Sequence, residues 1–417
     1  MGDCVASKEV KMEALAILTS LAVVLVVGTL AVALAAKLKM PSTLWLLAAG
    51  IGLSYITYQG KQLVYFPQSF FTSIALIAVA LIVFEGAASM KLRELDTFSL
   101  KAIKLAGIFI LINIAAITLA GKFLIGLDWF TSLIFAALVS NTNPGALLTL
   151  FKNKKASIVE LLKLESMFSI PLSVILVFVL IELQKDVMAG AVSVPGILFV
   201  FFNKIIAGVG TGVLIALILF KLLQEKKKKG KIQESHTGQS RIYAAIAVLV
   251  AAILTFVLAE NIGGSGGVAI VALGILFGAL RIKHKLSLLK FESIESKLIF
   301  ILLFVLVGLM IQFPINLNFI LISVGLFVIH LLARYFAVSL SVKVPFKERM
   351  FITMNSAKGV ETVALILLVA IYSLPGSEFF IPGSSTIIYL GFAFLIYSIV
   401  LSTIFSSIFK IHIEHAA

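Results

Sequence analysis

Within the apolar stretch Phe130–Leu150 the chain reads Ser140-Asn141-Thr142-Asn143-Pro144-Gly145, polar and helix-breaking residues where a membrane-spanning helix would be uniform. Lipid supplies no hydrogen-bonding partners, so backbone freed by Pro144 and Gly145 persists only if buried in protein or facing a water-filled cavity. A helix broken at mid-membrane depth is how secondary transporters build substrate sites, with unwound carbonyls and half-helix ends aimed at the ion. A second run of the same character is Asn355-Ser356-Ala357-Lys358-Gly359-Val360-Glu361-Thr362. The oxygens of Thr142, Asn143, Ser166 and Ser169 are of the kind that coordinate a hard cation. No aspartate lies near the first break, so the titratable groups left at the two breaks are Lys358 and Glu361.

Charged residues inside apolar spans are functional candidates by default. They are Glu85, Lys163, Glu165, Lys204, Arg334, Lys358 and Glu361. Arg334 cannot escape its burial by losing a proton, so it needs a partner, and Glu165 is the best-placed one. The pair is read as structural. Lys163 and Lys204 are read as snorkelling or lining a cytoplasmic funnel. Glu85 is read either as a helix-end residue or as a functional one. His330 stands alone in its span and is read as a packed helix residue near Arg334 rather than a ligand.

The elements that must position these residues follow from composition. Hydrophobic residues make up 61% of the chain, charged residues 13%, and the mean hydropathy is +1.14, which makes this an all-α polytopic membrane protein. With about 20 residues per span, roughly thirteen spans fit: 13–36, 42–57, 68–87, 103–125, 129–151, 157–183, 194–222, 242–259, 265–281, 298–313, 316–341, 348–373 and 384–409. The short connections leave no room for a soluble catalytic domain or an ATP-hydrolysing module. Cys4 is the sole cysteine and the five histidines are scattered without metal-ligand spacing. No enzyme, cofactor or metal site is therefore expected.

The net charge of +14 comes from lysines and arginines gathered on alternate connections, including the run Lys226–Lys229, and that alternation is the signature of cytoplasmic loops. It puts the N-terminus outside and the C-terminus in the cytoplasm, and it marks a basic loop near anionic lipid rather than a nucleic-acid site. Organisation along the chain follows: a first repeat at 1–184, a linker helix with the basic loop at 185–240, and a second repeat at 241–417. About six spans on each side of one linker span place the halves in opposite orientations. The fifth span of each half then corresponds, and these are the two interrupted ones. The expected result is two crossed discontinuous helices enclosing a polar pocket of Thr142, Asn143, Ser166, Ser169 and Lys358, with Ile170 as an apolar wall.

At these residues the chain resembles the monovalent cation:proton antiporters of the sodium/proton exchanger type. The resemblance is carried by Lys37-Leu38-Lys39-Met40-Pro41-Ser42 with Ala49-Gly50-Ile51, Phe84-Glu85-Gly86, Glu260-Asn261-Ile262-Gly263-Gly264-Ser265-Gly266, Phe304-Val305-Leu306-Val307-Gly308-Leu309 and Arg334-Tyr335-Phe336-Ala337-Val338, in register over nearly the whole chain. Where the family usually has Thr-Asp-Pro this chain has Thr142-Asn143-Pro144. Where it has Glu-Ser-x-Phe-Asn-Asp, this chain has Glu165-Ser166-Met167-Phe168-Ser169-Ile170, and the family's Arg-Gly is here Lys358-Gly359. Both usual ion-site aspartates are therefore replaced, while Glu165 and Arg334 match the family's buried pair.

The resemblance implies the sodium/proton antiporter fold, a homodimer in the cell membrane, and proton-linked antiport of sodium or potassium. Its partners would be the monovalent cation, the proton and the bilayer. The missing aspartates leave an alternative open: a homologue that is transport-inactive or not proton-coupled, serving as a sensor, anion pathway or regulatory protein.

Overall fold

The computed structural model of the chain describes residues 2–38, 42–58, 61–64, 66–88, 97–144, 157–190, 196–223, 238–279, 294–310, 316–372 and 380–415. Among them the helices are α1 (Gly2–Leu38), α2 (Ser42–Ser54), α3 (Gln68–Ala88), α4 (Thr97–Ala120), α5 (Trp129–Leu138), α6 (Ser157–Met188), α7 (Ile197–Leu223), α8 (Gly238–Asn261) and α9 (Gly266–Ala279). There follow α10 (Ile294–Met310), α11 (Leu317–Ser341), α12 (Phe346–Met354), α13 (Val360–Ile371) and α14 (Ser384–His415). One short hairpin pairs Thr57–Tyr58 with Lys61–Gln62. The basic run Lys226–Lys229 and the continuation of the first interrupted span after Pro144 lie outside the described residues.

Six helical stretches are long and apolar enough to cross a membrane: Ala14–Leu38, Leu100–Ile125, Ser157–Met188, Ile197–Leu222, Leu317–Ser341 and Ser384–Ser406. Helices α5 and α13 are different, with 10 and 12 residues. At about 1.5 Å per residue each covers roughly half of a ~30 Å hydrocarbon core. Both are apolar nearly all round, and every residue of α13 from Glu361 to Ile371 is buried. A helix of that kind belongs inside protein rather than against lipid. The lipid-type surfaces lie elsewhere, for example on α7, where Leu198, Phe199, Ile206, Leu217 and Leu222 are exposed.

The chain forms two compact units, Met1–Ala78 with Phe291–Ile315, and Val79–Lys290 with Asn316–Ala417. In the first, α2 packs against α10 and both pack against α1. The contact of α2 with α10 is backbone to backbone. A Cβ on Gly308 would meet the Leu47 carbonyl at 2.5 Å and the Gly50 Cα at 2.7 Å, an approach that small residues permit and that gives apolar helices their dispersion contact in lipid.

In the second unit α4 packs against α5, α6 and α11, and α9 packs against α6, α7 and α8. A core of Ala102, Leu105, Phe109, Leu161, Leu162, Ala337, Val338, Phe351 and Ile352 joins α4, α6, α11 and α12. It packs α12, the first half of the second interrupted helix, against α4, α6 and α11.

Candidate functional site

The first interruption begins where α5 stops. Asp128 caps its start by accepting from the Thr131 N–H at 3.1 Å, and past Leu138 the backbone unwinds through Val139 to Pro144. A helix end leaves carbonyls without intrahelical partners, and here they are buried. Those of Ala136, Ala137 and Leu138 accept from the Asn113, Ser173 and Asn141 side chains, and Lys358 Nζ donates to the carbonyls just beyond them, those of Val139 and Asn141, at 2.6 Å each. The ammonium thus sits at the negative end of the α5 dipole, where a cation is favoured. It is 2% exposed, with Phe109 presenting its ring at 6.0 Å.

The second interruption lies between α12 and α13. Its unwound segment meets the first directly, the Asn143 N–H donating to the Ala357 carbonyl at 2.7 Å. Two breaks joined backbone to backbone are the crossing that the sequence leads one to expect. Thr362 Oγ1 adds a bond to Asn141 Oδ1 at 2.7 Å. Glu361 stands in the first turn of α13, the positive end of that helix, and its Oε2 accepts from Asn143 Nδ2 at 3.0 Å. Oε1 is buried and accepts no hydrogen bond among the described residues. Gly359 makes room for this arrangement. A Cβ there would lie 2.6 Å from each carboxylate oxygen and run into Asn143 Nδ2.

Helix α14 holds the second break from outside. Ser398 Oγ accepts from the Lys358 N–H at 3.0 Å, and Ser402 and Ser406 donate to Asn355 Oδ1 at 2.9 and 2.6 Å. These serines recur every four residues, on one face of the helix. That spacing in an otherwise apolar span was the available signal for their role, and reasoning from the two breaks alone passes over it. Asn113, a buried amide in the apolar run of α4, escapes notice for the same reason.

Glu165 and Arg334 make a bidentate pair between α6 and α11, through Nη1 to Oε1 and through Nη2 to Oε2 at 2.6 Å. Both are 0% exposed, and the guanidinium lies 4.6 Å from the Phe109 ring. Both carboxylate oxygens of Glu165 are thereby occupied.

The expected pocket residues are only partly together. Thr142 Oγ1 and Ser169 Oγ are 3.2 Å apart, whereas Ser166 Oγ turns back to its own helix and donates to the Lys163 carbonyl. Ile170 faces α3, where a Cβ on Gly86 would meet its Cγ2 at 3.5 Å, and the adjoining Glu85 is exposed. Lys163 is exposed as well. The reading of Lys204 as a snorkelling or funnel residue is corrected, because its Nζ is 3.4 Å from Glu182 and 3.2 Å from Asp186. Those carboxylates come from the end of α6, and sequence order alone does not reveal that α7 returns alongside it. Among the described residues no three His, Cys, Asp or Glu side chains gather as a metal site.

Known proteins resemble the chain in family and in fold. Residues 21–411 match the family model described as the sodium/hydrogen exchanger, transmembrane. A Na(+)/H(+) antiporter, NhaH, of Halobacillus aidingensis is 26% identical over 401 residues, covering 90% of this chain and 93% of that protein. A K(+)/H(+) antiporter, NhaP, of Alkalimonas amylolytica is 23% identical over 367 residues, 85% of this chain and 59% of that protein. The low-affinity Na(+)/H(+) antiporter NhaS1 of Synechocystis is 26% identical over 331 residues, with 77% and 59% covered. The chain thus spans a little over half the length of the last two. Among solved structures, the sodium proton antiporter MjNhaP1 of Methanocaldococcus jannaschii superposes with a TM-score of 0.75 at 22% identity, covering 96% of this chain and 99% of that one. At that identity the likeness speaks to fold, and the fold is the antiporter fold.

Proposed function

The chain belongs to the sodium/hydrogen exchanger family, and from that premise we propose that it is a secondary transporter exchanging a monovalent cation, sodium or potassium, for protons across the cell membrane. The names of its relatives, antiporters of Na(+) or K(+) against H(+), support that substrate class. The cation and proton compete for one carboxylate at the crossing of the interrupted helices. Because Asn143 and Ile170 stand where the family usually has aspartates, that carboxylate is Glu361.

The observation that carries this assignment is the state of the two buried acids beside the crossing: Glu165 has both oxygens engaged by Arg334, while Glu361 keeps Oε1 free of hydrogen bonds among the described residues. Asn143, bonded to Glu361, and Thr142, close to Ser169, supply the neutral oxygens. An amide is easily turned, so Asn143 can present Oδ1 to a cation and Nδ2 to a bare carboxylate. Lys358, held on the carbonyls of Val139 and Asn141, is the basic group at the crossing, and no family aspartate stands beside it in this chain. Ser166 contributes only if its hydroxyl leaves the Lys163 carbonyl.

The finer features belong to the same proposal: two inverted repeats over 1–184 and 241–417 joined by 185–240, a homodimer, and an orientation with the N-terminus outside.

The test is proton flux in proteoliposomes under an imposed sodium or potassium gradient. Wild type should exchange, and Glu361→Gln should lose roughly a hundredfold or more, the range for removal of a proton-transfer group. Exchange that survives Glu361→Gln and is lost in Glu85→Gln would move the carrier to Glu85. A second reading, a homologue without proton-coupled transport, is favoured by the double replacement at Asn143 and Ile170. Silent wild type that gains flux on Asn143→Asp with Ile170→Asp would establish it.

A further inference from the structure

A polar chain outside the crossing ends on it. Asn113 of α4 is 0% exposed, and its Nδ2 donates to Ser140 Oγ at 2.9 Å and to the Ala136 carbonyl at 3.3 Å. Ser140 Oγ in turn donates to the Ala136 carbonyl at 2.6 Å. Because a carbonyl only accepts, the amide has one sensible orientation, with Oδ1 turned away from Ala136. Oδ1 lies 2.8 Å from His330 Nδ1. Two acceptors do not attract, so His330 carries its proton on Nδ1 and leaves Nε2 as a bare lone pair. Nε2 is buried with no hydrogen bond among the described residues, and the imidazole ring packs against those of Phe109, Phe327 and Phe394 at centroid separations of 5.5, 6.0 and 5.5 Å.

The far end of this chain is what gives it a consequence. Ser140 lies between Val139 and Asn141, the two residues whose carbonyls seat the Lys358 ammonium. One turn along α11 from His330, Arg334 locks α6 through Glu165. A single helix therefore fixes both the buried pair and the end of α5. A purely packing histidine would need neither a fixed tautomer nor an amide aimed at the break.

We propose that His330 and Asn113 are positioning residues of the exchange site: the relay His330 Nδ1–H to Asn113 to Ser140 holds the unwound segment just past α5 so that the flanking carbonyls of Val139 and Asn141 stay on Lys358. This rests on the exchange reading above. It requires a hydrogen on Nδ1 and none on Nε2. Asparagine can replace histidine in that role because its amide nitrogen falls near the Nδ1 position. Glutamine, whose amide falls near Nε2, cannot.

The experiment has two arms on the full-length protein. In proteoliposomes, His330→Leu and His330→Gln should raise the cation concentration giving half-maximal exchange by about tenfold, the effect of one lost buried hydrogen bond, with a smaller change in maximal rate. His330→Asn should restore the wild-type value. Equal values for His330→Asn, His330→Gln and wild type would overturn the relay. The second arm needs no transport: nitrogen-15 NMR of histidine-labelled protein, with the His330 signals identified by their loss in His330→Asn, should show the Nδ1–H tautomer. Removing the acceptor with Asn113→Leu should shift that signal. An Nε2–H tautomer, or no response to Asn113→Leu, overturns the proposal even where wild-type exchange is absent and only the transport reading has failed.

Discussion

The Arg334–Glu165 pair is a fully buried ion pair of the second unit. Both side chains are fully buried, and a buried ion pair contributes little net stability compared with apolar groups of the same volume, while breaking it leaves an uncompensated charge. Glu165→Gln or Arg334→Met alone should therefore cost roughly 3–5 kcal/mol, read as a fall in thermal midpoint in detergent. Replacing both, as Glu165→Met with Arg334→Leu, should recover most of that loss. If the double variant is as unstable as the singles added together, the pair is not acting as a unit. Lys358 differs in that its partners are carbonyl dipoles rather than a carboxylate. Its Nζ is held by the carbonyls of Val139 and Asn141, which is why the relay through Ser140 bears on it.

At the scale of elements, two of the contacts that depend on the absence of a side chain make sharp tests. Helices α2 and α10 touch at Gly50 and Gly308, where the atoms an added methyl would strike belong to backbone. Gly308→Ala should force the helices apart at a cost of about 1–3 kcal/mol, the usual range for overpacking. Gly52→Ala is the control, since a Cβ there meets nothing within 4 Å and alanine favours a helix over glycine. A Gly308→Ala protein that melts with wild type would show that α2 yields freely. Gly359 is the other case. Alanine there strikes the Asn143 and Glu361 side chains rather than backbone, so Gly359→Ala should disturb exchange more than stability. A large loss of midpoint with normal flux would contradict the placement of the Asn143–Glu361 bond.

For the whole molecule the open quantity is its orientation in the bilayer. The alternation of lysines and arginines along the sequence supports an outside N-terminus by the positive-inside rule. The single cysteine, Cys4, makes this directly measurable. In intact cells a membrane-impermeant maleimide should label Cys4 without permeabilisation. Labelling that appears only after permeabilisation would invert the proposed topology, and with it the assignment of the basic loop to the cytoplasm.

The class of the protein, its largely helical make-up and the two places where a helix must break were legible in the sequence alone. Hydropathy over some twenty residues and proline, glycine and asparagine in apolar surroundings act locally, through the lack of hydrogen-bonding partners in lipid. The pairing of Glu165 with Arg334 was also legible, because arginine keeps its charge and few acids were available to it. What the sequence left open are the directions in which side chains point. Ser166 turns to its own backbone, Lys204 finds Glu182 and Asp186, and Lys358 caps α5 rather than meeting an acid. Each of these is decided by which helix lies alongside, a matter of packing between segments far apart in the chain. The relay from His330 shows the same dependence, since residues 113, 140 and 330 acquire a common purpose only when α4, α5 and α11 are packed together.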